Sequence, residues 1–410
     1  NPGAFDVNGF GRLPVLVNGR IKPLDTVARG SLLQLQGRQT VTTPDQRAIQ
    51  PIEWLLDVGF KPELADTYQT FEIVHPDLLA LFSLSMADGQ GKKRFAYNQL
   101  SKSFGELDRQ AKLAGQTDGA VRTPFQRAVM QLYGNLVHYQ RLRHAFVSPA
   151  RPDFLGDLMK LQENVGIWRA AVTARLNKQP HDEAAAAAAI AVSEPIVDMA
   201  NVNNLFLVIP PEPGDTDLTA WQASGPALLQ TFQTGRVNPA ALAYAGFGHA
   251  WRGDKPEQFN TLVGLFRADF EKRFATQLSK GQVEARFNAA QPFYRASFIF
   301  GLAFMLGVFS WLGFTEPLRR SASGLVMLGW LLMTGGIITR MWLEGRPPVT
   351  NLYSTAPFIG WGAITLCIIL EWVFKNSIGA VAGAVGAAVP RDRSAPAGAS
   401  AARAAVSETS

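Results

Sequence analysis

The chain has 410 residues, a net charge of +6 and 47% hydrophobic residues. This length is sufficient for two or three units that each bury a core. The lysines and arginines are scattered and are not interleaved with aromatic residues, so no nucleic-acid surface is expected. The single cysteine, Cys367, excludes an internal disulfide and a CxxC redox or zinc motif.

Charged residues are distributed unevenly along the chain. They occur throughout residues 1–290 but are few in residues 296–374. We therefore expect a mainly α-helical protein, with a water-soluble helical domain over 1–290 and an α-helical transmembrane bundle after it. The chain starts at Asn1, without a basic segment that precedes an apolar one, so a leader or anchor is expected to be cleaved or to lie upstream.

The N-terminal segment predicts a β-hairpin over residues 13–21. Its turn is Asn18-Gly19, a residue pair that favours the type I′ turn of tight hairpins. Asp25 or Thr26 is then expected to cap a helix, because short polar side chains accept hydrogen bonds from the free backbone N–H groups of a first turn.

Apolar residues recur every three or four positions in the middle of the chain, which predicts long amphipathic helices. One runs from Thr123 to Phe146 and another from Leu158 to Leu176. A third follows Asp254, which is expected to form a capping box with Glu257. The alanine-rich segment 178–192 favours a helix but offers little side chain for packing.

Three apolar runs near the C-terminus have about the length that crosses a membrane. We expect transmembrane helices at 294–314, 321–342 and 356–374. Several tryptophans lie near the ends of these runs, as they do at membrane interfaces. Three buried helices of a soluble core are the alternative interpretation. The basic residues that flank the runs are nearly balanced between the two sides, so charge alone leaves the topology open.

The composition changes after the third run. Residues 377–389 are rich in Ala, Gly and Val, but the segment is too short to span a membrane alone. We interpret it as the start of a fourth membrane segment. Residues 390–410 are rich in Ala, Ser and Pro and are expected to be disordered.

Few side chains form a pattern with a known chemistry. Nucleotide-binding, zinc-protease and serine-hydrolase signatures are absent. His138 and His144 share a predicted helix, but their spacing places them on different faces, where they cannot share a metal. Glu371 lies near the end of the third apolar run. It is either a functional intramembrane carboxylate or a residue that pairs with Lys375 at the interface.

The polar loop 343–355, between the second and third apolar runs, is the candidate site. Its Pro347-Pro348 pair cannot continue a helix, because proline lacks a backbone donor. An arginine in this loop could pair with a ligand carboxylate, and a tryptophan could stack on a flat apolar ligand. Anchoring of the helix ends in the lipid headgroups is the alternative. The candidate residues at the rim of this site are Arg346, Asn351, Tyr353, Trp342 and Trp361.

The same loop resembles a known family. The segments G-R-P-P-V-T-N-L-Y (345–353) and F-I-G-W-G (358–362) are similar to the membrane proteins of cytochrome c assembly of the CcsA (ResC) type. The soluble region is similar to the extracytoplasmic part of the extended bacterial members. The segments that carry this second similarity are N-G-R-I-K-P-L-D-T-V-A-R (18–29), P-I-E-W-L-L (51–56) and Q-P-F-Y-R-A-S (291–297).

This resemblance spans most of residues 10–376 and implies a location and a function. It implies a multi-pass protein of the bacterial inner membrane, with the domain 1–290 and the loop 343–355 on the periplasmic side. It implies haem as the cofactor in the System II pathway, where haem is attached to cytochrome c. The implied partners are apocytochrome c and a ResB-type protein. The alternative function is a non-catalytic, membrane-anchored scaffold that binds partner proteins.

The sequence also departs from the family pattern. Ser354 stands where the family pattern leads us to expect an acid, and Trp361-Gly362 does not continue as the tryptophan-rich W-W-D segment. The resemblance ends after Asn376, before the W-W-D segment and the axial histidines, so the chain is expected to be truncated at both ends. No histidine here is assigned as a haem ligand. Enzymatic activity stays open, because no catalytic residue is identified.

Overall fold

The protein is mainly helical. The structure, a computed structural model, describes residues 3–89, 93–212, 217–274, 283, 286–287, 290–310, 315–344 and 352–374. The chain divides into two compact units, the first within Asn1–Gly281 and the second within Gln282–Ser394. The expected segments 377–389 and 390–410 lie outside the described residues.

The first unit starts with helix α1 (Val7–Gly11) and a β-hairpin. Strands β1 (Pro14–Val17) and β2 (Arg20–Pro23) pair in antiparallel orientation. Between them, Asn18 has a φ of 53° and Gly19 a φ of 70°, the left-handed conformations of a type I′ turn. The hairpin prediction is confirmed.

In the rest of the first unit, the residues that the structure describes form helices and two further strand pairs. Strand β3 (Val41–Thr42) pairs with β4 (Ala48–Ile49), and β5 (Gln69–Glu72) pairs with β6 (Arg94–Ala96), both antiparallel. The described α-helices after the hairpin are α2 (Leu24–Gln36), α3 (Pro51–Phe60), α4 (Pro62–Ala65), α5 (Pro76–Leu81), α6 (Tyr97–Leu100), α7 (Phe104–Gly115), α8 (Pro124–Arg143), α9 (Phe154–Leu176), α10 (Glu183–Val202), α11 (Ser224–Leu229), α12 (Thr231–Thr234), α13 (Pro239–Arg252) and α14 (Pro256–Arg273). Helices α8 and α9 confirm the two long amphipathic helices that the apolar periodicity predicts.

Two predicted helix caps were wrong. Helix α2 has Pro23 at its N-cap, because strand β2 runs directly into the helix. Asp25 therefore lies inside the first turn, where it pairs with Arg29 at 2.7 Å. Helix α14 follows Lys255, and Asp254 adopts a left-handed conformation with a φ of 50°. Asp254 belongs to the reversal between α13 and α14, so it does not form a capping box.

The alanine-rich helix α10 is buried more deeply than expected. Ala185, Ala186 and Ala189 are part of the core of the first unit. Small side chains allow close contact between helices, and the clearest case is the contact of α10 with α11. A Cβ atom added to Gly225 would lie 2.3 Å from the backbone nitrogen of Ala200. Gly225 thus permits close packing of α11 on the backbone of α10 near Ala200.

Aromatic rings dominate the core of the first unit. The Phe10 ring lies with its centroid 5.2 to 6.2 Å from those of Phe60, Phe146, Phe247 and Phe259. Such ring pairs each contribute about 0.5–1.5 kcal/mol beyond the burial of their surface. Because these rings come from α1, α3, α13, α14 and the segment after α8, the cluster joins both ends of the unit.

Two buried tyrosines of this core differ in their hydrogen bonding. The Tyr139 hydroxyl donates to the Asp66 carboxylate at 3.0 Å. The Tyr244 hydroxyl has no hydrogen-bond partner among the described residues, although its side chain is fully buried. Burial raises the pKa of both phenols, so both remain protonated donors.

We expect Tyr244→Phe to leave the free energy of unfolding unchanged or to raise it, because the substitution removes an unsatisfied buried hydroxyl. The matched control, Tyr139→Phe, should lower it by about 1–3 kcal/mol, because it removes a satisfied buried hydrogen bond. Urea unfolding in detergent, followed by tryptophan fluorescence, measures both. Equal destabilisation by the two substitutions would contradict this expectation.

The described residues of the second unit form three long helices, α15 (Pro292–Ser310), α16 (Thr315–Glu344) and α17 (Leu352–Phe374). Helix α16 is longer than the expected run 321–342. Its first turns are polar, and Glu316 pairs with Arg319 at 2.9 Å and with Arg320 at 3.5 Å. Pairs three and four residues apart stabilise a helix, which explains why α16 starts before the apolar run.

Three helices in the described part of the chain are long and apolar enough to cross a membrane, which suggests a membrane protein. They are Glu183–Val202, Pro292–Ser310 and Glu316–Leu343. The last two correspond to the first two expected spans. The third expected span, 356–374, contains a shorter apolar helical stretch, Phe358–Glu371. Helix α10 was not expected to meet these criteria.

Candidate functional site

The structure describes only part of the predicted rim. Trp342 lies close to the C-terminal end of α16 with 52% of its side chain exposed. Trp361 lies in α17 and is partly buried. Arg346 and Asn351 lie outside the described residues, and Tyr353 is described only as part of the helical backbone of α17. The rim as a whole stays a prediction.

Trp361 is engaged in packing between helices. Its ring stacks on that of Trp330 in α16, with 6.3 Å between centroids and 17° between planes, and on that of Phe358 at 5.7 Å and 24°. Its indole nitrogen donates to Thr334 Oγ1 at 2.8 Å. Trp361 thus holds α17 to α16. Trp342 is the more exposed of the two rim tryptophans, with 52% of its surface accessible to solvent.

An ion pair joins the other ends of the same two helices. The Arg319 guanidinium, in the second turn of α16, lies 3.6 Å from the Glu371 carboxylate at the end of α17. Glu371 is only 8% exposed. Its expected partner, Lys375, lies outside the described residues. Because an early residue of α16 meets a late residue of α17, the two helices are antiparallel.

We expect Arg319→Ala to lower the melting temperature, because it leaves the nearly buried Glu371 carboxylate without this cation. Adding Glu371→Gln to that variant should restore part of the loss. The control Arg320→Ala removes an arginine that is 79% exposed in its side chain and should change little. Thermal unfolding in detergent compares the four proteins. A double variant no more stable than Arg319→Ala would argue against the pairing.

The first unit contains a buried carboxylate that no sequence pattern indicates. Asp57 is 6% exposed and accepts hydrogen bonds from the Tyr68 hydroxyl at 2.8 Å and the Trp251 indole at 2.9 Å. Burial raises its pKa, and these two hydrogen bonds oppose that shift. Because Asp57 lies in α3 and Trp251 in α13, the carboxylate links two helices that are far apart in sequence.

A second carboxylate, Asp66, lies in a similar setting. It accepts a hydrogen bond from Tyr139, and the Arg143 guanidinium lies 3.2 Å away. Burial again raises the pKa, and Arg143 opposes the shift. Arg143 also lies over the ring of Tyr97, and Gln140 donates to the Tyr97 hydroxyl. These partners engage both acids in core contacts, so we interpret them as structural links and not as an acid–base pair.

The raised pKa of Asp57 predicts a pH dependence of stability. The folded protein retains this proton at pH values where the unfolded chain releases it, so the stabilisation is complete below the unfolded pKa of about 4 and is lost as the pH rises through the folded pKa. Asp57→Asn removes this contribution. The free energy of unfolding of the variant should therefore decline less than that of the unsubstituted protein between about pH 4 and neutrality.

The control for this experiment is Asp45→Asn. A hydrogen bond from Thr43 holds the pKa of this exposed carboxyl below its usual value. Asp45→Asn should therefore make the free energy of unfolding decline more with rising pH than it does in the unsubstituted protein. Urea titrations at several pH values measure both variants. Parallel curves for Asp57→Asn and the unsubstituted protein would exclude the assignment to Asp57.

The metal-ligating side chains among the described residues do not form a cluster. No group of three or more His, Cys, Asp or Glu residues among them could hold a metal ion. His138 lies 2.8 Å from the Ser31 hydroxyl, and burial lowers its pKa to about 4. His144 Nδ1 lies 2.8 Å from the Gln140 carbonyl oxygen. These two imidazoles are engaged in core contacts of the first unit.

Comparison with known proteins does not identify the family. No protein-family model matches the chain, and no curated protein matches it. The resemblance to cytochrome c assembly proteins therefore stays a prediction. Sequence reasoning also missed three residues of the α16–α17 contact, Trp330, Thr334 and Thr365. Their signal was a short pattern that occurs in both helices.

Proposed function

We propose that the chain is a membrane component of cytochrome c biogenesis that handles or presents haem for attachment to apocytochrome c. The observation that carries this proposal is the position of the segment G-R-P-P-V-T-N-L-Y (345–353). It connects two long apolar helices that pack against each other as an antiparallel pair. Trp342 lies exposed at the end of α16 where this connection starts.

The membrane helices in this proposal are α15, α16 and α17. One face of α15 exposes a continuous apolar stripe, which soluble proteins rarely leave uncovered and which lipid would cover. The stripe consists of Tyr294, Phe298, Leu302, Met305 and Phe309. Helix α10 is assigned to the soluble domain, because its inward residues belong to the core of the first unit. Its exposed face also carries Glu194 and Asp198.

The proposed location is the inner membrane of a bacterium, with the first unit and the connection 345–351 on the periplasmic side. This topology rests on the resemblance, because the flanking charges do not decide it. Apocytochrome c and a ResB-type protein are the proposed partners. Both would act on the periplasmic side, where the large domain would be available to bind them.

The residues of this chain are assigned to contacts with the porphyrin and not to iron ligation. The Trp342 indole would stack on the flat apolar face of the ring, and Arg346 would pair with a carboxylate at its edge. In this proposal, haem itself is the group that becomes covalently attached to the cytochrome. No residue of this chain is assigned as an iron ligand.

The test is deletion of the complete gene, followed by complementation with the full-length protein. Deletion should abolish covalent haem on periplasmic c-type cytochromes. Complementation with Trp342→Ala should restore several-fold less haem than the unsubstituted gene. The matched control is Leu331→Ala, which truncates a residue of similar exposure in the middle of α16 and should restore it fully. Haem-stained gels measure the product, and immunoblots confirm equal protein levels.

Normal covalent haem in the deletion strain would exclude this function. It would favour the alternative, a membrane-anchored scaffold whose large domain binds partner proteins.

A further inference from the structure

Helices α16 and α17 carry the same short pattern, a tryptophan followed four residues later by a threonine. The pattern occurs as Trp330-Leu-Leu-Met-Thr334 and as Trp361-Gly-Ala-Ile-Thr365. Residues four apart lie on one face of a helix, about one turn from each other. Each helix therefore presents an indole ring next to a hydroxyl group.

The two patterns meet and bind each other reciprocally. Trp330 Nε1 donates to Thr365 Oγ1 at 2.9 Å, and Trp361 Nε1 donates to Thr334 Oγ1 at 2.8 Å. The two indole rings stack between these hydrogen bonds. Each helix thus contributes one donor, one acceptor and one ring to the same contact.

The threonine hydroxyls complete the arrangement within each helix. Thr334 donates to the Trp330 carbonyl oxygen at 2.7 Å, and Thr365 donates to the Trp361 carbonyl oxygen at 2.8 Å. A hydroxyl has one hydrogen to donate and lone pairs to accept with. Both hydroxyls donate within their own helix and accept from the other one, so both indole donors are satisfied.

The position of this contact restricts how α16 and α17 can align with each other. Trp330 lies near the middle of the apolar stretch Glu316–Leu343, whereas tryptophans of membrane proteins are usually enriched at the interfaces. In hydrocarbon an indole N–H has no water to bind, so an unmatched donor is unfavourable. A shift of α17 along α16 by one turn, about 5.4 Å, would break both interhelical bonds and the ring stack together.

We infer that Trp330, Thr334, Trp361 and Thr365 form a helix clasp that fixes the register of α16 against α17. In consequence they are positioning residues for Trp342, which follows Thr334 by about two turns of the same helix. This second role rests on the proposed function. The clasp itself does not depend on haem.

The first experiment measures the coupling between the two threonines. Thr334→Val and Thr365→Val each remove an acceptor while they keep the shape of the side chain. Each should lower the melting temperature in detergent, and the double substitution should lower it by less than the sum, because either one already opens the clasp. The near-ultraviolet circular dichroism of the stacked indoles should decline in parallel.

Three further variants make this test specific. Thr334→Ser keeps the hydroxyl and should keep most of the stability. Thr339→Val is the matched control in α16, because the Thr339 hydroxyl donates only to the Gly335 carbonyl oxygen. Trp330→Phe keeps a ring and loses the donor, so it should lower the melting temperature as Thr365→Val does. It replaces a valine variant in the comparison if that variant does not fold. Strictly additive effects, or effects no larger than that of Thr339→Val, would refute the clasp.

The second experiment tests the positioning role in the complemented deletion strain. At equal protein levels the double valine variant should reduce covalent haem on c-type cytochromes several-fold, and Thr339→Val should not. Non-additive changes in melting temperature together with an unchanged amount of covalent haem would refute the positioning role and leave the clasp in place. Normal haem in the deletion strain itself would refute the proposed function, and the unfolding data would still decide on the clasp.

Discussion

Polar groups in an apolar interior have to find partners, and this constraint explains much of how the described residues are held together. In the first unit, the Asp57 carboxylate is satisfied by Tyr68 and Trp251, which connects α3 to α13. In the second unit, the Trp330 and Trp361 indoles are satisfied by threonines of the opposite helix. Hydrophobic burial supplies most of the stability, but these directional contacts select one arrangement of the helices.

The same constraint separates the two tryptophans that sequence reasoning had grouped as rim residues. Both Trp342 and Trp361 flank the polar loop in the sequence, so both were candidates for stacking on a flat ligand. Trp361 has a ring partner and a hydrogen-bond acceptor in α16 and is partly buried, whereas 52% of Trp342 is exposed. A role in ligand contact is therefore better supported for Trp342 than for Trp361.

Local signals were sufficient for the elements that depend on neighbours in the sequence. The Asn18-Gly19 turn determines the first hairpin, and apolar periodicity predicted α8 and α9. The cap at Asp254 was predicted wrongly, because the tight reversal between α13 and α14 places this residue before the N-cap. A competing local structure thus decided the role of a residue whose type favours capping.

Features that depend on distant residues could not be predicted. Asp57 acquires its role through Trp251, 194 positions later, and no pattern near Asp57 indicates that contact. The alanines of α10 looked poorly suited for packing, but Ala185, Ala186 and Ala189 are buried in a core built from residues that are distant in the sequence. The repeated tryptophan–threonine pattern is visible in the sequence. Its meaning required knowledge that the two helix faces meet.

In the membrane arrangement proposed above, the reciprocal bonding of α16 and α17 has a consequence for how these helices would enter the bilayer. Each helix carries an indole donor whose acceptor lies on the other helix, so a single inserted helix would leave that donor unmatched in hydrocarbon. Two helices that arrive together remove this penalty at the moment of insertion. The segment between them is short, which keeps the partners close during synthesis. Under that proposal the hairpin, and not the single helix, is the favoured unit of membrane integration.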